Sequence, residues 1–290
     1  MILGDYRIEI IPDTEFWLDG GAMFGVVPRV LWERVCPPDD KNRIRMNMNC
    51  TFVDTGKEKI LIETGIGEKW TEKQIAIYGI TRKRPFANSL FEITGCRPED
   101  ITIVVNTHLH FDHAGGNTIP FSRRSSTGVA VTDRELNVLQ FSNARYLVSQ
   151  SELAHAESPH ERDRASYLCE NWRPVQETGQ LELMQDAYEV VDGLTVQTVR
   201  GHSETMQTWS LTRGGETVYG FADLIPMKHH LSPAWIAGFD LYPTDTLEFK
   251  KHILPRAVRE NWLCLFYHDV DTPLCRVLQE ENKLKAVPVN

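Results

Sequence analysis

Three histidines and one aspartate lie within six residues of one another in the segment NTHLHFDHAGG, residues 106–116. His108 and His110 are two positions apart, so in an extended segment both side chains point to one side and could bind one metal ion. Asp112 and His113 follow at a turn and could bind a second ion. Because histidine makes up only 10 of the 290 residues, this density indicates a metal site.

The segment resembles the H-x-H-x-D-H signature of the metallo-β-lactamase-fold superfamily of hydrolases. This resemblance implies three further ligands, each at the end of a strand. The chain supplies a candidate for each: His202 in VRGHSET, Asp223 in YGFADLIP and His268 in LFYHD. The resemblance also implies an α/β fold, a four-layered αββα sandwich with the metal site at the edge where the strands end.

The resemblance further implies which residues hold each metal ion. One ion would be bound by His108, His110 and His202, the other by Asp112, His113 and His268, and Asp223 would bridge the two. Two divalent ions are the expected cofactors, with zinc preferred and manganese, iron or cobalt as alternatives, since no cysteine occupies a ligand position.

Two dications beside one water lower its pKa toward neutrality, so the predicted reaction is hydrolysis of an ester, lactone, thioester, amide or phosphoester bond by a metal-bound hydroxide. The resemblance favours opening of a lactone or ester bond. Asp112 and Asp223 are the predicted catalytic carboxylates. Asp223 would fix the spacing of the metals, and Asp112 could hand on a proton as the leaving group departs.

Within the superfamily, the chain is most similar to the quorum-quenching lactonase and methyl-parathion-hydrolase-like group, in stretches such as GAMFGVVPRVLW and ADLIPMKHHL. It departs from the family pattern at Glu63, where many members carry aspartate. It also has Pro226 where one lactonase subgroup has a tyrosine that orients the substrate, and His229 or His230 is a candidate replacement. Phe24, Trp235 and His230 are the predicted substrate-binding residues, in an apolar pocket over the metals.

Several other functions use the same ligand set or fold. The first alternative is a phosphotriesterase or phosphodiesterase that uses the same two metals, and the second is a mononuclear iron dioxygenase. Diiron reductases of this fold typically have glutamate at the second ligand position, where this chain has His110. A non-enzymatic binding module would be expected to have lost ligands, and here all seven are present.

Composition limits the partners. The chain has 31 lysines and arginines against 40 aspartates and glutamates, a formal net charge of −9, which argues against nucleic acid as a partner. No apolar stretch reaches the roughly 18 residues of a membrane span, and no secretory signal is recognised at the start. Six cysteines without a C-x-x-C pair favour reduced thiols and the cytoplasm. The expected partner is a small ester or lactone, and a homodimer is possible.

The remaining chain predicts one metallo-β-lactamase-like domain over residues 1–290. Strands are predicted by these short runs: 6–11, 50–54, 59–63, 101–105, 145–149, 195–200, 207–212, 217–222 and 263–266. Helices are predicted at 71–79, 132–141, 150–170 and 245–261. Two segments, 15–48 and 224–243, have no simple period. We predict that 15–48 is an N-terminal lid or arm.

Overall fold

The computed structural model describes residues 1–121, 137–281 and 283–289. Its strands are β1 (Ile2–Leu3), β2 (Tyr6–Asp19), β3 (Arg43–Asp54), β4 (Lys59–Ile62), β5 (Ile103–Val105), β6 (Thr118–Pro120), β7 (Asn137–Leu139), β8 (Arg145–Ser149), β9 (Leu181–Met184), β10 (Ala187–Val191), β11 (Leu194–Thr198), β12 (Gln207–Arg213), β13 (Glu216–Gly220), β14 (Leu263–Leu265), β15 (Leu274–Glu280) and β16 (Lys283–Pro288). Its α-helices are α1 (Gly20–Phe24), α2 (Arg29–Trp32), α3 (Glu72–Tyr78), α4 (Phe86–Thr94), α5 (Phe111–Ala114), α6 (Gln150–Glu157), α7 (Arg173–Glu177) and α8 (Pro243–Arg259).

Two seven-stranded sheets form the centre of the molecule. The first has the order β1-β2-β3-β4-β5-β8-β9, and the second runs from β10 to β16 in sequence order. Each sheet mixes parallel and antiparallel neighbours. Apolar residues of both sheets, such as Phe52 and Leu211, belong to one buried core. Since α4 and α6 contact the first sheet and α8 the second, the predicted α/β sandwich is confirmed.

The candidate ligands follow the carboxyl ends of buried strands. His108 comes three residues after β5, and Asp223 and His268 each come three residues after β13 and β14. The strands β13 and β14 are parallel neighbours, so their carboxyl ends meet at one edge of the sheet. Parallel sheets place ligand sites at this edge because the loops that leave it converge there.

The segment 15–48 is more regular than its sequence indicates. Residues 15–19 extend β2 and residues 43–48 begin β3, and the two strands pair antiparallel with a bulge between Pro12 and Glu15. The prediction of an irregular segment is wrong there because most of β3 is buried on both faces, which removes the alternation of apolar and polar residues. Only the connection, with α1 and α2, has the character of an arm, and its role as a lid stays a prediction.

The helix predicted at 150–170 ends much earlier. The helix α6 stops at Glu157, before the Ser158-Pro159 pair, because a proline disfavours helical backbone in the residue that precedes it. Residues 158–167 instead form turns that return to the ligand loop. Half of the helix predicted at 132–141 lies outside the described residues, and the described half contains the strand β7 instead. None of the described helices is both long enough and apolar enough to cross a bilayer.

Candidate metal centre

The structure brings all seven predicted ligands together in two groups. The first cluster consists of His108, His110, His202 and Asp223, and the second cluster of Asp112, His113, Asp223 and His268. Within each cluster, one potential ligand atom per residue lies within 4.8 Å of the others, and every residue is buried. Asp223 belongs to both clusters, as the family resemblance implied for a bridging ligand. Their binding of metal ions stays a prediction.

The two carboxylate oxygens of Asp223 face different clusters. Its Oδ2 lies 3.4 Å from His202 Nε2 and 3.9 Å from His108 Nε2. Its Oδ1 lies 3.0 Å from His268 Nε2 and 3.3 Å from His113 Nε2. This division suits a carboxylate that gives one oxygen to each of two cations.

Two of the three histidines of the first cluster, His108 and His110, have the protonation state that metal binding requires. Burial lowers the pKa of His108 and His110 well below the usual value, and neighbouring histidines lower it further, so both rings are neutral. The Nε2 atoms of His108 and His110 are buried, and neither has a hydrogen-bond partner among the described residues. Buried polar atoms are rarely left unpaired, so this convergence fits a cation between them.

Side chains from other elements orient the first cluster. The Nδ1 atom of His202 lies 3.0 Å from Asp240 Oδ1, and the second oxygen of Asp240 accepts a hydrogen bond from Thr246 Oγ1 at 2.7 Å. Asp240 is only 3% exposed, so its carboxylate is committed to these two contacts. A carboxylate on the outer nitrogen of a histidine fixes the ring and makes it a stronger ligand.

A second buried carboxylate, that of Glu152 in α6, connects two ligand loops. Its Oε1 accepts a hydrogen bond from the backbone nitrogen of Leu109, at 2.7 Å, between the two histidines of the motif. Its Oε2 accepts from Thr205 Oγ1 at 2.5 Å, three residues beyond His202. Burial raises the pKa of Glu152 to about 7. The hydrogen bonds from Thr205 and Leu109 act in the opposite direction and lower the pKa, but burial has the larger effect.

The second cluster is supported mainly by backbone. His268 Nδ1 lies 2.9 Å from the carbonyl oxygen of Asn47 in β3. The carbonyl of His113 accepts a hydrogen bond from the backbone nitrogen of Thr64 at 2.8 Å. The family departure at Glu63 is accommodated: its Oε1 lies 3.3 Å from His113 Nδ1 and accepts from the hydroxyl of Thr107.

The floor beneath the second cluster is closed by glycines. A Cβ on Gly67 would overlap the carbonyl of Gly115, and a Cβ on Gly116 would overlap the carbonyl of Thr64. The backbone of 64–67 therefore packs directly on the turn that follows the ligand motif. The amino group of Lys69 closes the same contact by donating to the Gly115 carbonyl at 2.5 Å.

A cavity of about 210 Å³ opens over both clusters. Five of the candidate ligands lie in its lining, and most of the remaining wall is apolar: Leu18, Met23, Met46, Tyr78, Phe111, Ala165, Pro226, Ala237 and Phe239. Polar residues enter from the turn region after α6, namely Arg162, Asp163 and Ser166. Such a cavity suits a small substrate with an apolar portion and one polar group for the metal site.

The three residues predicted to bind substrate lie behind this wall. Phe24 is fully buried and stacks on the His230 ring at 4.8 Å, with Trp235 edge-on at 5.7 Å. The Nε2 of His230 lies 2.8 Å from the carbonyl oxygen of Met23. None of the three lines the cavity, and their rings pack against one another instead. His229 lines a different cavity, beside Cys36.

Apart from the ligands, sequence reasoning missed important residues of the cavity lining, among them Arg162 and Tyr78. Arg162 carries no motif signal in the sequence, but its Nη2 donates to the Gly238 carbonyl at 2.7 Å and joins two loops at the cavity mouth. Tyr78 was not singled out, because it ends a short helix that has no fully buried residue and so gives no periodic signal. The Ser158-Pro159 pair could have indicated that residues 158–167 leave the helix.

Comparison with known families agrees with the geometry. The profile of the Metallo-beta-lactamase superfamily matches residues 44–124, which include the ligand motif. An N-acyl homoserine lactonase of Bacillus thuringiensis is 25% identical over 253 residues, covering 80% of this chain and 85% of its own length. An N-acyl homoserine lactonase of Bacillus cereus is 24% identical, covering 82% of this chain and 88% of its own length.

Solved structures share the fold over the whole chain. A probable metal-dependent hydrolase from Staphylococcus aureus superposes with a TM-score of 0.88 and 27% identity, covering 100% of this chain and 99% of its own. AidC, a dizinc quorum-quenching lactonase in complex with a product, gives a TM-score of 0.78 with 18% identity, covering 100% and 96%. At that identity, the second likeness concerns the fold alone.

Proposed function

We propose that this chain, a metal-dependent hydrolase of the metallo-beta-lactamase superfamily, opens the ring ester of N-acyl homoserine lactones with two metal ions. The observation that carries the proposal is the pair of buried clusters that share Asp223 below a mostly apolar cavity. The relatives named for N-acyl homoserine lactones support the substrate class, whose members combine an ester with an apolar chain.

The seven ligands would hold the ions as the two clusters divide them. Two divalent ions bound there, zinc in the first instance, would activate water and polarise the ester carbonyl. Asp223 would fix the distance between the ions because each of its oxygens faces one cluster. Asp112 lines the cavity and is placed to pass a proton to the departing alkoxide.

The cavity wall would exclude water and hold the acyl chain. Met23, Phe111 and Phe239 would contact the apolar part of the substrate while the ester lies toward Asp112 and His202. Holding the ester beside the activating group accelerates the reaction by orientation. The cytoplasm is the compartment we propose, because all six cysteines lie in the described residues and are free.

The test is metal content and lactone opening on the same preparation. Protein purified without added metal is analysed for bound metals, and opening of N-hexanoyl and longer N-acyl homoserine lactones is followed by acid release. We expect two divalent ions per chain and lactone opening that a chelator removes. A His252→Ala variant, changed at an exposed histidine on α8, should keep both properties. Turnover of a phosphotriester without lactone opening, or one iron with oxygen uptake, would overturn the proposal.

A further inference from the structure

Tyr78 lines the cavity together with His110, Phe111 and Asp112. It is half-buried, and among the residues that the structure describes its hydroxyl has no hydrogen-bond partner. We propose that the Tyr78 hydroxyl donates a hydrogen bond to a carbonyl oxygen of the substrate. The inference rests on the proposed lactone opening and adds a substrate-contacting residue to it.

The Tyr78 ring is held by two other aromatic rings. Its centroid lies 5.5 Å from the Trp70 ring at an angle of 67° and 5.6 Å from the Phe111 ring at 37°. Trp70 and Phe111 also pack edge to face at 5.3 Å, so the three rings form one group. A ring fixed in this way loses little further freedom when its hydroxyl binds a substrate.

The carboxyl end of α3, which carries Tyr78, is also held in place by contacts with β2 and β3. Arg43 Nη1 donates hydrogen bonds to the carbonyls of Ala76 at 3.2 Å and Ile77 at 2.7 Å. Gly79 ends the helix with a φ of 57°, and a Cβ there would come within 2.7 Å of the Trp17 ring. The helix α3 has no fully buried residue, so these contacts add little buried surface to the hydrophobic core. They instead fix the position of Tyr78 at the end of the helix.

The Tyr78 hydroxyl is a neutral hydrogen-bond donor in the cavity wall. Burial raises the pKa of Tyr78, and the nearby charge of Asp112 raises it further, so the phenol keeps its proton and donates. The two charged groups from the turn after α6 have partners: Arg162 donates to the Gly238 carbonyl, and Asp163 Oδ2 lies 2.8 Å from His155 Nε2. Pro226 lines the wall and has no donor of its own.

The test compares Tyr78→Phe with Tyr6→Phe. Both variants lose one hydroxyl, but that of Tyr6 donates to the Asp192 carbonyl at 3.1 Å outside the cavity. For Tyr78→Phe we expect kcat/KM for N-hexanoyl homoserine lactone to fall about tenfold, as for loss of a substrate hydrogen bond. Metal content and melting temperature should match the wild type, because the phenylalanine ring keeps its contacts. Tyr6→Phe should keep the wild-type kcat/KM.

A second substrate identifies the carbonyl. If Tyr78→Phe also slows a γ-lactone without an amide, the hydroxyl contacts the ring ester. If only the acylated lactone is slowed, it contacts the side-chain amide, and either result supports the proposal. An unchanged kcat/KM for both substrates, with the wild type active, would overturn it. A wild type that opens no lactone would contradict the proposed function instead, so the two failures are distinguishable.

Discussion

The first and second clusters share Asp223 but are supported in different ways. Around the first cluster, carboxylates from distant elements hold the ligands: Asp240 contacts His202, and Glu152 contacts the backbone at Leu109. Around the second, Glu63 Oε1 lies 3.3 Å from His113 Nδ1, but His268 relies on a backbone carbonyl of β3 and the chain after His113 lies on packed glycines. The first cluster should therefore be more sensitive to changes of outer side chains than the second.

The largest effect is expected when the shared residue is removed. Asp223→Ala deletes the oxygens that face both clusters, so both should bind metal poorly and kcat should fall by more than about 100-fold. Metal content after dialysis and initial rates measure the two effects. Retention of two tightly bound ions in this variant would contradict the bridging role.

Removing one ligand from each cluster tests whether they are separate sites. His202→Ala should leave one ion in the second cluster, and His268→Ala should leave one ion in the first, because each histidine belongs to one cluster only. Cobalt-substituted protein gives a distinct absorption spectrum for each remaining site. Identical spectra and stoichiometries for the two variants would show that the clusters do not bind metal independently.

Changing a carboxylate that contacts a ligand from outside should weaken the metal affinity of one cluster and leave that of the other unchanged. Asp240→Asn keeps the shape of the side chain but removes the charge beside His202, so metal affinity of the first cluster should fall about 10- to 100-fold. The second cluster should keep its affinity. Chelator competition that resolves two dissociation constants is the measurement. An equal loss at both sites would remove the distinction between the clusters.

The smallest effect concerns the loop that carries Asp240. Lys250 of α8 is fully buried and donates to the carbonyls of Ser232 and Trp235 at 2.8 and 2.7 Å. Lys250→Met leaves these carbonyls without their donor, so the free energy of unfolding should fall by about 2 kcal/mol. The first cluster should lose less affinity than in Asp240→Asn, and urea titration with the chelator assay measures both.

The same lysine predicts how stability depends on pH. Burial lowers the pKa of Lys250 to about 7, whereas in the unfolded chain the pKa is near its ordinary value of 10.5. Above pH 7 the native state has released a proton that the unfolded state still binds, so this group makes stability rise with pH. Between pH 7 and 9 the wild type should gain stability relative to Lys250→Met. A parallel pH dependence of both proteins would contradict the shift.

The sequence predicted the clusters well because their ligands lie at strand ends. A buried strand such as Ile103–Val105 is visible from its apolar β-branched residues, and the ligand motif follows directly. The family resemblance supplied the spacing that joins His108 to His202, Asp223 and His268. Since strand ends converge at one edge of a sheet, few other arrangements of these ligands were compatible with the predicted strands.

The cavity wall was predicted poorly because it is made of loops and short helices. Phe24 and Trp235 are aromatic residues predicted to line the cavity, yet their rings pack edge to face against each other. Tyr78 and Arg162 reach the cavity through contacts with residues far along the chain, such as Arg162 with Gly238. Periodicity reports which face of an element is buried and gives no information on such contacts.

The glycine floor has a consequence for how the protein moves. The backbone nitrogens of Thr64 and Gly116 donate to carbonyls across this contact, at 2.8 and 3.2 Å, and the adjoining chain is buried. Their amide hydrogens should exchange with solvent deuterium only when the whole protein unfolds. Amides of 158–167 and 232–239, on the opposite side of the cavity, should exchange through local opening. Substrates would then enter by displacement of those loops, while the base of the metal centre stays fixed.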